Sequence, residues 1–310
     1  MASVVRSFRP IISQQRGFLT PKITPISHSL IAGPSVNSSR YSSELNKRSY
    51  TSTKVIRATV QDGPPLTHTN RAEVTLRRFW KTVHIKENES GEYQITLDHR
   101  ALKTPGGSKL IIPTERRLIA LLIANEWENQ DEVLKQHALP VTSLVSRAID
   151  GLGEGEIRIG VINQLMKYLD TDTILFKNDT PSSLVRMQNE HWDPLYKWLE
   201  NEYNVKLNSA KGFSPPKQSE QVKNKLKILL EGMDGWELSA FERAAYASKS
   251  FIIALALCKG KLTANQAADA SHVEVRSQIE KWGEVEDTHD VDYQDIRRSL
   301  GSVACLLIKA

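Results

Sequence analysis

The sequence predicts an α+β fold, in which a small N-terminal β-rich domain is followed by a larger all-helical C-terminal domain. Apolar and polar residues alternate within residues 79–97, and apolar residues recur at helical spacing from about residue 140 onward. Strands that precede helices are typical of α+β chains, whereas alternating strands and helices indicate a parallel sheet. The predicted boundaries are 1–43 for a transit peptide, 44–71 for a disordered linker, 72–140 for the β-rich domain with its covering helix, and 141–310 for the helical domain.

The first 43 residues are basic, rich in Ser and free of acids, since Glu44 is the first carboxylate of the chain. This composition is typical of an organellar transit peptide, and no continuous apolar run supports a secretory signal. Arg40-Tyr41-Ser42 resembles a matrix-processing site, which favours the mitochondrial matrix over the chloroplast. A disordered basic tail that is not removed is the alternative interpretation.

The positive charge of the chain is concentrated in its first 70 residues. They hold nine of the 41 Lys and Arg residues and two of the 36 Asp and Glu residues, which leaves 32 basic and 34 acidic residues in the remainder. A nucleic-acid-binding module would keep a basic surface after processing. The charge balance therefore predicts that the mature protein binds no nucleic acid.

Apolar runs and cysteines exclude further classes of protein. The longest apolar run, Phe251–Cys258, is shorter than the roughly 18 residues that cross a bilayer, so we predict no membrane insertion. The only cysteines, Cys258 and Cys305, lie in apolar helical patterns. This context predicts buried thiols rather than a disulfide framework or a zinc site.

The β-rich region begins with two segments of alternating residues, 79–85 and 93–97, which are separated by the turn Asn88-Glu89-Ser90-Gly91. Two further short strands are predicted near 101–104 and 110–112. So small a sheet needs a cover, and the segment 114–130 supplies one as a helix. Its apolar residues are Leu118, Leu121, Leu122 and Trp127.

Helical spacing and capping signals define the second half of the chain. Thr263 and Gln266 form a capping box, Asp193 is predicted to cap a helix with Pro194 in its first turn, and Asp290 is predicted to cap the last helix. The uncharged segment 250–258 is predicted to be the buried central helix. The predicted helices are 155–169, 183–203, 220–231, 237–258, 263–282 and 290–308.

No catalytic or cofactor motif stands out in the sequence. The loop Gly151-Leu152-Gly153-Glu154-Gly155 invites comparison with a phosphate-binding loop, but Glu154 and Glu156 would repel a phosphate and no Gly-Lys-Ser/Thr follows. We interpret this segment as a loop that begins a helix. The chain also lacks Gly-x-Ser-x-Gly and its two cysteines lie in apolar segments, so the motifs place no Ser/His/Asp or Cys/His catalytic apparatus.

The segment 281–292 combines Trp, Gly, His and several carboxylates between two helical segments. Glu286, His289 and Asp290 could serve a metal-assisted hydrolase. Metal ligands are usually placed at a helical or strand spacing that directs them inward together, and this cluster lacks such a spacing. A solvated loop is therefore favoured, with no metal site, and the hydrolase stays as the alternative.

Glu274 lies beside a predicted apolar stripe. The first interpretation is an internal ion-pair partner, for example of Lys249, because acids at the edge of a buried stripe are commonly paired. The alternative is that Glu274 marks the border of a binding groove. The stripe consists of Ala264, Ala268, Val275, Ile279 and Trp282.

Taken in order, motifs between residues 78 and 300 resemble those of one family, the assembly chaperones of the α subunit of the mitochondrial ATP synthase catalytic head. Val141 departs mildly, since the family more often has Leu there. The motifs are Arg78-Phe79-Trp80-Lys81, Leu97-Asp98-His99-Arg100, Leu102-Lys103-Thr104-Pro105, Glu126-Trp127, Pro140-Val141-Thr142, Ala148-Ile149-Asp150, Thr171-Asp172-Thr173, Trp192-Asp193-Pro194, Lys249-Ser250, Trp282-Gly283 and Val285-Glu286-Asp287.

The resemblance implies a chaperone that is not an enzyme and carries no cofactor. It implies that the protein holds the α subunit until the β subunit arrives, and we expect it to be monomeric when free. Such a chaperone covers apolar surface that would otherwise aggregate, so an aromatic anchor with a polar rim is expected. The predicted partner-binding residues are Glu274, Gln278, Trp282, Gly283, Glu284, Glu286, Asp287, His289 and Asp290.

Overall fold

A four-stranded antiparallel sheet begins the fold in the computed structural model, which describes residues 77–210 and 214–309. The predicted leader and linker lie outside the described residues. The second strand is central and pairs with each of the other three. The strands are β1 (Val83–Glu87), β2 (Tyr93–Leu97), β3 (Arg100–Ala101) and β4 (Ile111–Ile112).

The first strand starts later than predicted, at Val83 rather than at residue 79. The carboxylate of Asp98 accepts hydrogen bonds from the backbone N–H groups of Lys81 (3.0 Å) and Thr82 (2.9 Å). Asp98 has a positive φ of 53° and turns the chain between β2 and β3. These amides are therefore satisfied by a side chain rather than by a strand partner.

The covering helix α1 (Arg117–Glu128) follows a 3₁₀ turn at Thr114–Arg116 and packs against β1 and β2. Its buried residues are Ile119, Ala120 and Ile123. The prediction of a helix over the sheet is confirmed. Leu121, however, is 48% exposed, so the prediction that it faces the core is wrong.

Ten further helices follow in the described residues, most of them at the predicted positions. They are α2 (Pro140–Gly151), α3 (Glu156–Asp170), α4 (Ser182–His191), α5 (Asp193–Tyr203), α6 (Glu220–Glu231), α7 (Gly235–Ser248), α8 (Phe251–Cys258), α9 (Ala264–Ser271), α10 (Val273–Trp282) and α11 (His289–Leu307). The first of them, α2, was missing from the predicted helices. The Gly-rich loop 151–155 joins α2 to α3, as its interpretation as a helix-start loop required.

Three of the predicted helical segments are interrupted. The first, 183–203, is divided at Trp192, beside the helix junction predicted at Asp193 and Pro194. Lys249 adopts a left-handed conformation (φ 55°) and ends α7, while the Ser250 hydroxyl accepts a hydrogen bond from the N–H of Ile253 (3.0 Å) and begins α8. His272 separates α9 from α10. The capping box of Thr263 and Gln266 at the start of α9 is confirmed.

Two predicted caps are wrong. Asp193 is the first residue of α5 rather than its cap, and its carboxylate pairs with Lys177. Asp290 lies in the first turn of α11, which begins at His289 and has no side-chain cap. Helix α5 therefore starts one residue earlier, and α11 two residues earlier, than these caps implied. A carboxylate within the first turn interacts favourably with the helix dipole.

The centre of the helical region is α8, in which every residue from Phe251 to Leu257 is buried. It packs against α7, and α7 in turn contacts α2 and α11. The prediction of a buried central helix is confirmed. The boundary between two domains at residue 140 stays a prediction. No helix in the described ranges is both long and apolar enough to span a membrane.

Several carboxylates of the family-like motifs hold the chain's own backbone in place. Glu126 accepts hydrogen bonds from the N–H groups of Val141 (2.7 Å) and Thr142 (2.9 Å) at the start of α2. Asp150 accepts one from the N–H of Gly106 (2.8 Å), where a Cβ atom would lie 2.7 Å from the Asp150 carboxylate. These motif residues therefore stabilise the fold.

Asp172 performs the same role deep in the helical region. It is fully buried and accepts hydrogen bonds from the N–H groups of Ile174 (3.1 Å) and Ile252 (2.9 Å). Burial raises the pKa of Asp172 to about 6, although the surrounding hydrogen bonds oppose that shift. This carboxylate connects the 3₁₀ turn at Thr173–Leu175 to the first turn of α8.

Candidate partner-binding site

Helix α10 lies at the surface and presents most of its residues to solvent. Its buried residues are Val273 and Ser277. It is held against α4 by a hydrogen bond between the hydroxyls of Ser277 and Ser183 (2.9 Å) and by an ion pair between Glu280 and Arg186 (2.7 Å). These polar contacts fix the helix and leave its remaining surface available to a partner.

Two grooves run along α10, and together they contain five of the predicted site residues. Glu274, Gln278 and Trp282 line the first groove, together with Leu184 and Lys281. The second groove is lined by Glu284 and His289 and by the apolar residues Val275, Ile279 and Tyr293. Gly283, Glu286, Asp287 and Asp290 line neither groove and lie in the adjoining loop and the first turn of α11.

Trp282 is 71% exposed, so its assignment to a buried stripe is wrong. Helix α9 ends at Ser271 and α10 begins at Val273, so the residues of the predicted single stripe are divided between two helices. Ala268 is buried in α9, whereas Val275 and Ile279 in α10 are only half-buried. The Lys281 ammonium lies 4.8 Å from the centroid of the Trp282 ring. An exposed Trp beside a groove is the kind of residue that anchors protein interfaces.

The loop after α10 is closed by His289. Its ring Nδ1 accepts a hydrogen bond from the backbone N–H of Val285 (3.0 Å), and the backbone N–H of His289 donates to the carbonyl of Val285 (3.1 Å). Gly283 (φ 88°) and Asp287 (φ 64°) provide the positive φ angles of this turn. The local structure therefore uses His289 to shape the loop.

Four carboxylates surround this closed loop. All are exposed, and none makes a hydrogen bond or an ion pair with the described residues. They are Glu284, Glu286, Asp287 and Asp290. The loop therefore presents a negatively charged rim.

The predicted metal alternative finds no geometric support. No group of three or more His, Cys, Asp or Glu residues within residues 77–210 and 214–309 could hold a metal ion. The Nδ1 atom of His289 is engaged by a backbone amide, and Glu286 and Asp290 do not converge with it.

Glu274 is exposed and makes no ion pair with Lys249 or with another residue of the described chain. The interpretation as an internal ion-pair partner is therefore wrong. Its carboxylate borders the groove that contains Trp282. The geometry leaves it available to a basic group of a partner.

His272 and Asp292 contribute to this region, although no sequence pattern predicted either residue. His272 is buried and its Nε2 lies 2.9 Å from Oδ2 of Asp292, which joins the α9–α10 junction to the first turns of α11. Its ring also packs near Tyr293, with the ring centroids 6.1 Å apart. A lone His at the end of an Ala-rich helix is not distinguishable from an ordinary surface residue in the sequence.

Exposed apolar side chains cluster in sequence around the acidic loop. Trp282 is joined by Val285 (57% exposed), Val291 (64%) and Tyr293 (37%). We refer to these four residues, with Glu274 and the four loop carboxylates, as the C-terminal patch. Apolar residues rimmed by polar ones are typical of protein interaction sites.

Comparison with known proteins identifies the family of this chain. A family model described as "ATP12 chaperone protein" matches residues 77–200. A protein of Schizosaccharomyces pombe named "Protein atp12, mitochondrial" is 38% identical over 240 residues, which cover 75% of this chain and 82% of that protein. This chain belongs to the ATP12 chaperone family.

Other ATP12 proteins agree with this assignment. "Protein ATP12, mitochondrial" of Saccharomyces cerevisiae is 35% identical over 291 residues, which cover 81% of this chain and 89% of that protein. The crystal structure of Atp12 from Paracoccus denitrificans superimposes with a TM-score of 0.65 at 31% identity and covers 76% of this chain and 98% of that one. The α+β fold predicted from the sequence is therefore the fold of ATP12 proteins.

Proposed function

We propose that the protein is an assembly chaperone of the mitochondrial ATP synthase, which binds the unassembled α subunit of the catalytic head in the matrix and holds it until it pairs with the β subunit. Membership of the ATP12 family and the names of its mitochondrial relatives support this function. The observation that carries the proposal to particular residues is the C-terminal patch, where a Trp that is 71% exposed adjoins an acidic loop.

The chemistry of the C-terminal patch suits a temporary partner. An unpartnered subunit of a ring exposes apolar surface that is normally buried, and such surface aggregates. Trp282 and the valines offer apolar area to cover it, while the carboxylates of the loop stay in water at the rim. Binding that relies partly on rim charges forms quickly and stays reversible, because such charges mainly raise the association rate.

The proposal assigns the protein no catalytic step and no cofactor. Cys258 and Cys305 are half-buried rather than fully buried as predicted, but desolvation raises the pKa of the Cys258 thiol to about 12, which keeps it protonated and unreactive. Asp172, the acid with the pKa raised to about 6, is fully buried and engaged by backbone amides rather than directed into a groove. The metal-assisted hydrolase has no supporting observation.

Capture of the isolated α subunit tests the proposed function. Purified α subunit is diluted from denaturant with the mature chaperone, and the soluble fraction and the co-purified complex are measured. We expect equimolar chaperone to keep the α subunit soluble, and the isolated β subunit in parallel to remain unprotected. Equal protection of both subunits, or of neither, would contradict the proposal.

A further inference from the structure

The outer edge of β1 is an unpaired strand edge. In the described part of the chain, β1 pairs with β2 alone. Thr82 and Asn88 form hydrogen bonds with the turns at either end of β2, through Asp98 N–H to Thr82 C=O (2.8 Å) and Asn88 N–H to Glu92 C=O (2.9 Å). Because the pairing direction alternates along an antiparallel ladder, the N–H and C=O groups of Val83, Ile85 and Glu87 point away from β2.

A groove lies directly beside this edge, between β1 and α1. Ile85, Tyr93, Ala120 and Leu121 form its apolar part. Leu121 is 48% exposed although it belongs to a helix that otherwise covers the sheet. An added strand would place alternate side chains over this apolar groove, since successive side chains of a strand point to opposite faces.

The charges around the edge specify the occupant. Lys86 is exposed on the face of β1 away from the groove and makes no ion pair or side-chain hydrogen bond within residues 77–210 and 214–309, and His84 is exposed on the same face. In the groove itself, the cation of Arg117 is accompanied by the carboxylate of Glu87. A second copy of this chain, paired antiparallel about Ile85, would bring His84 and Lys86 of the two copies together and gain no carboxylate opposite Lys86. An extended segment that alternates apolar and acidic residues would direct its apolar side chains into the groove and its acidic side chains towards Lys86 on the other face.

We propose that the free edge of β1 and the groove beside it bind an extended polypeptide segment with alternating apolar and acidic side chains, by addition of a strand to the sheet. The backbone of the segment pairs with Val83, Ile85 and Glu87, its apolar side chains enter the groove, and its carboxylates lie on the opposite face of the sheet, beside Lys86. Main-chain pairing gives such a site affinity and the alternate side chains give it specificity. The site uses no residue of the C-terminal patch.

Binding of a designed peptide to the full mature chain tests this proposal without the α subunit. The probe is a fluorescently labelled eight-residue peptide in which Val and Glu alternate, and its binding is followed by anisotropy. One control peptide alternates Val and Lys, and another has four Val followed by four Glu. We expect saturable binding of the Val–Glu peptide and weaker binding of both controls. Equal binding of the three peptides, or no binding of any, would overturn the proposal.

Two variants of Glu87 separate strand addition from a nonspecific apolar contact. Glu87→Pro removes an N–H that points away from β2 and so keeps the β1–β2 ladder, whereas Glu87→Ala keeps that N–H. Loss of one backbone hydrogen bond weakens binding about three- to tenfold. We expect this loss for Glu87→Pro and no comparable loss for Glu87→Ala. Equal affinities of the two variants would overturn the proposal.

Amide hydrogen exchange in the unmodified protein provides a reading that no substitution can disturb. The amides of Val83, Ile85 and Glu87 should exchange quickly in the free protein and slowly with the peptide bound. The amides of His84 and Lys86, which point to β2, should be protected in both states. Protection of the outward amides by raised protein concentration alone would assign the edge to a second copy and overturn the proposal.

Discussion

The two short helices α8 and α10 lie close in sequence but differ in burial, since α8 lies in the interior and α10 at the surface. In α8, every residue from Phe251 to Leu257 is buried, and the helix forms the centre of the fold. In α10, Val273 and Ser277 are buried, and the other side chains line two grooves or face solvent. The contrast teaches that an apolar residue in a helical pattern acquires its role from what covers it.

Two tryptophans express this contrast most clearly. Trp192 is fully buried, and its Nε1–H donates a hydrogen bond to the carbonyl of Ala270 (2.8 Å). Trp282 is 71% exposed, and the Lys281 ammonium lies 4.8 Å from the centroid of its ring. Removal of the first ring disrupts the interior, whereas removal of the second alters only the surface.

Trp192→Ala should cause the largest loss. Truncation of a buried Trp leaves a cavity and costs about 3–5 kcal/mol of unfolding free energy. The carbonyl of Ala270 also loses its partner. Urea unfolding followed by circular dichroism measures the change. A loss below about 1 kcal/mol would show that the interior around α5 and α9 repacks easily, which would break the comparison.

Asp172→Asn should have an intermediate effect that depends on pH. The amide group places a donor against a backbone N–H, which costs about 1–3 kcal/mol at neutral pH. In the native protein the pKa of Asp172 is about 6, above its ordinary value of 3.8, so the folded state takes up this proton first as the pH falls. The contribution of this group to the unfolding free energy therefore rises as the pH falls through 6 and becomes constant below the ordinary pKa.

Unfolding curves between pH 4 and 7 test this sign. The difference in stability between the native protein and Asp172→Asn should widen as the pH falls through 6. Asp150→Asn is the matched control, because the hydrogen bond from Thr104 lowers the pKa of Asp150. The stabilising contribution of Asp150 is lost only as the pH falls through and below the ordinary pKa of 3.8, so its difference should stay nearly constant from pH 7 to 5 and begin to narrow near pH 4. Parallel curves for the two variants would contradict the assignment.

Glu274→Lys should hardly change stability but should impair capture of the α subunit. Glu274 is exposed and without an ion pair in the described chain, so its reversal should alter the unfolding free energy by about 0.5 kcal/mol or less. A like-charge clash at a partner's border costs several times more. Glu200→Lys on α5 is the matched control, since Glu200 is also exposed. Equal capture by the two variants would remove Glu274 from the binding surface.

The sequence predicted those elements whose signals are local. The alternation in Tyr93–Leu97, the capping box of Thr263 and the uncharged run of α8 each depend on neighbours within a few residues, and each is confirmed. The interruption at Lys249 was not predicted. A positive φ is unusual for a Lys. Lys249 adopts it directly before Ser250, whose hydroxyl caps the next helix.

The candidate site was only partly predictable for the same reason. Glu274, Gln278 and Trp282 were expected on one helix and do line one groove. The exposure of Trp282 was not predicted, because helical spacing shows which residues share a face but not whether another element covers that face. His272, which lies between α9 and α10, carries no sequence signal that distinguishes it.

The comparison of Trp282→Ala with Trp192→Ala tests most directly whether the C-terminal patch binds a partner rather than stabilises the fold. Both variants lose the same side chain, and both are measured for unfolding free energy and for capture of the α subunit. Trp282→Ala should unfold within about 0.5 kcal/mol of the native protein and yet leave the α subunit to aggregate, because hot-spot truncation costs about 2 kcal/mol or more of binding. A Trp282→Ala protein that is as unstable as Trp192→Ala, or one that captures the α subunit normally, would contradict the assignment.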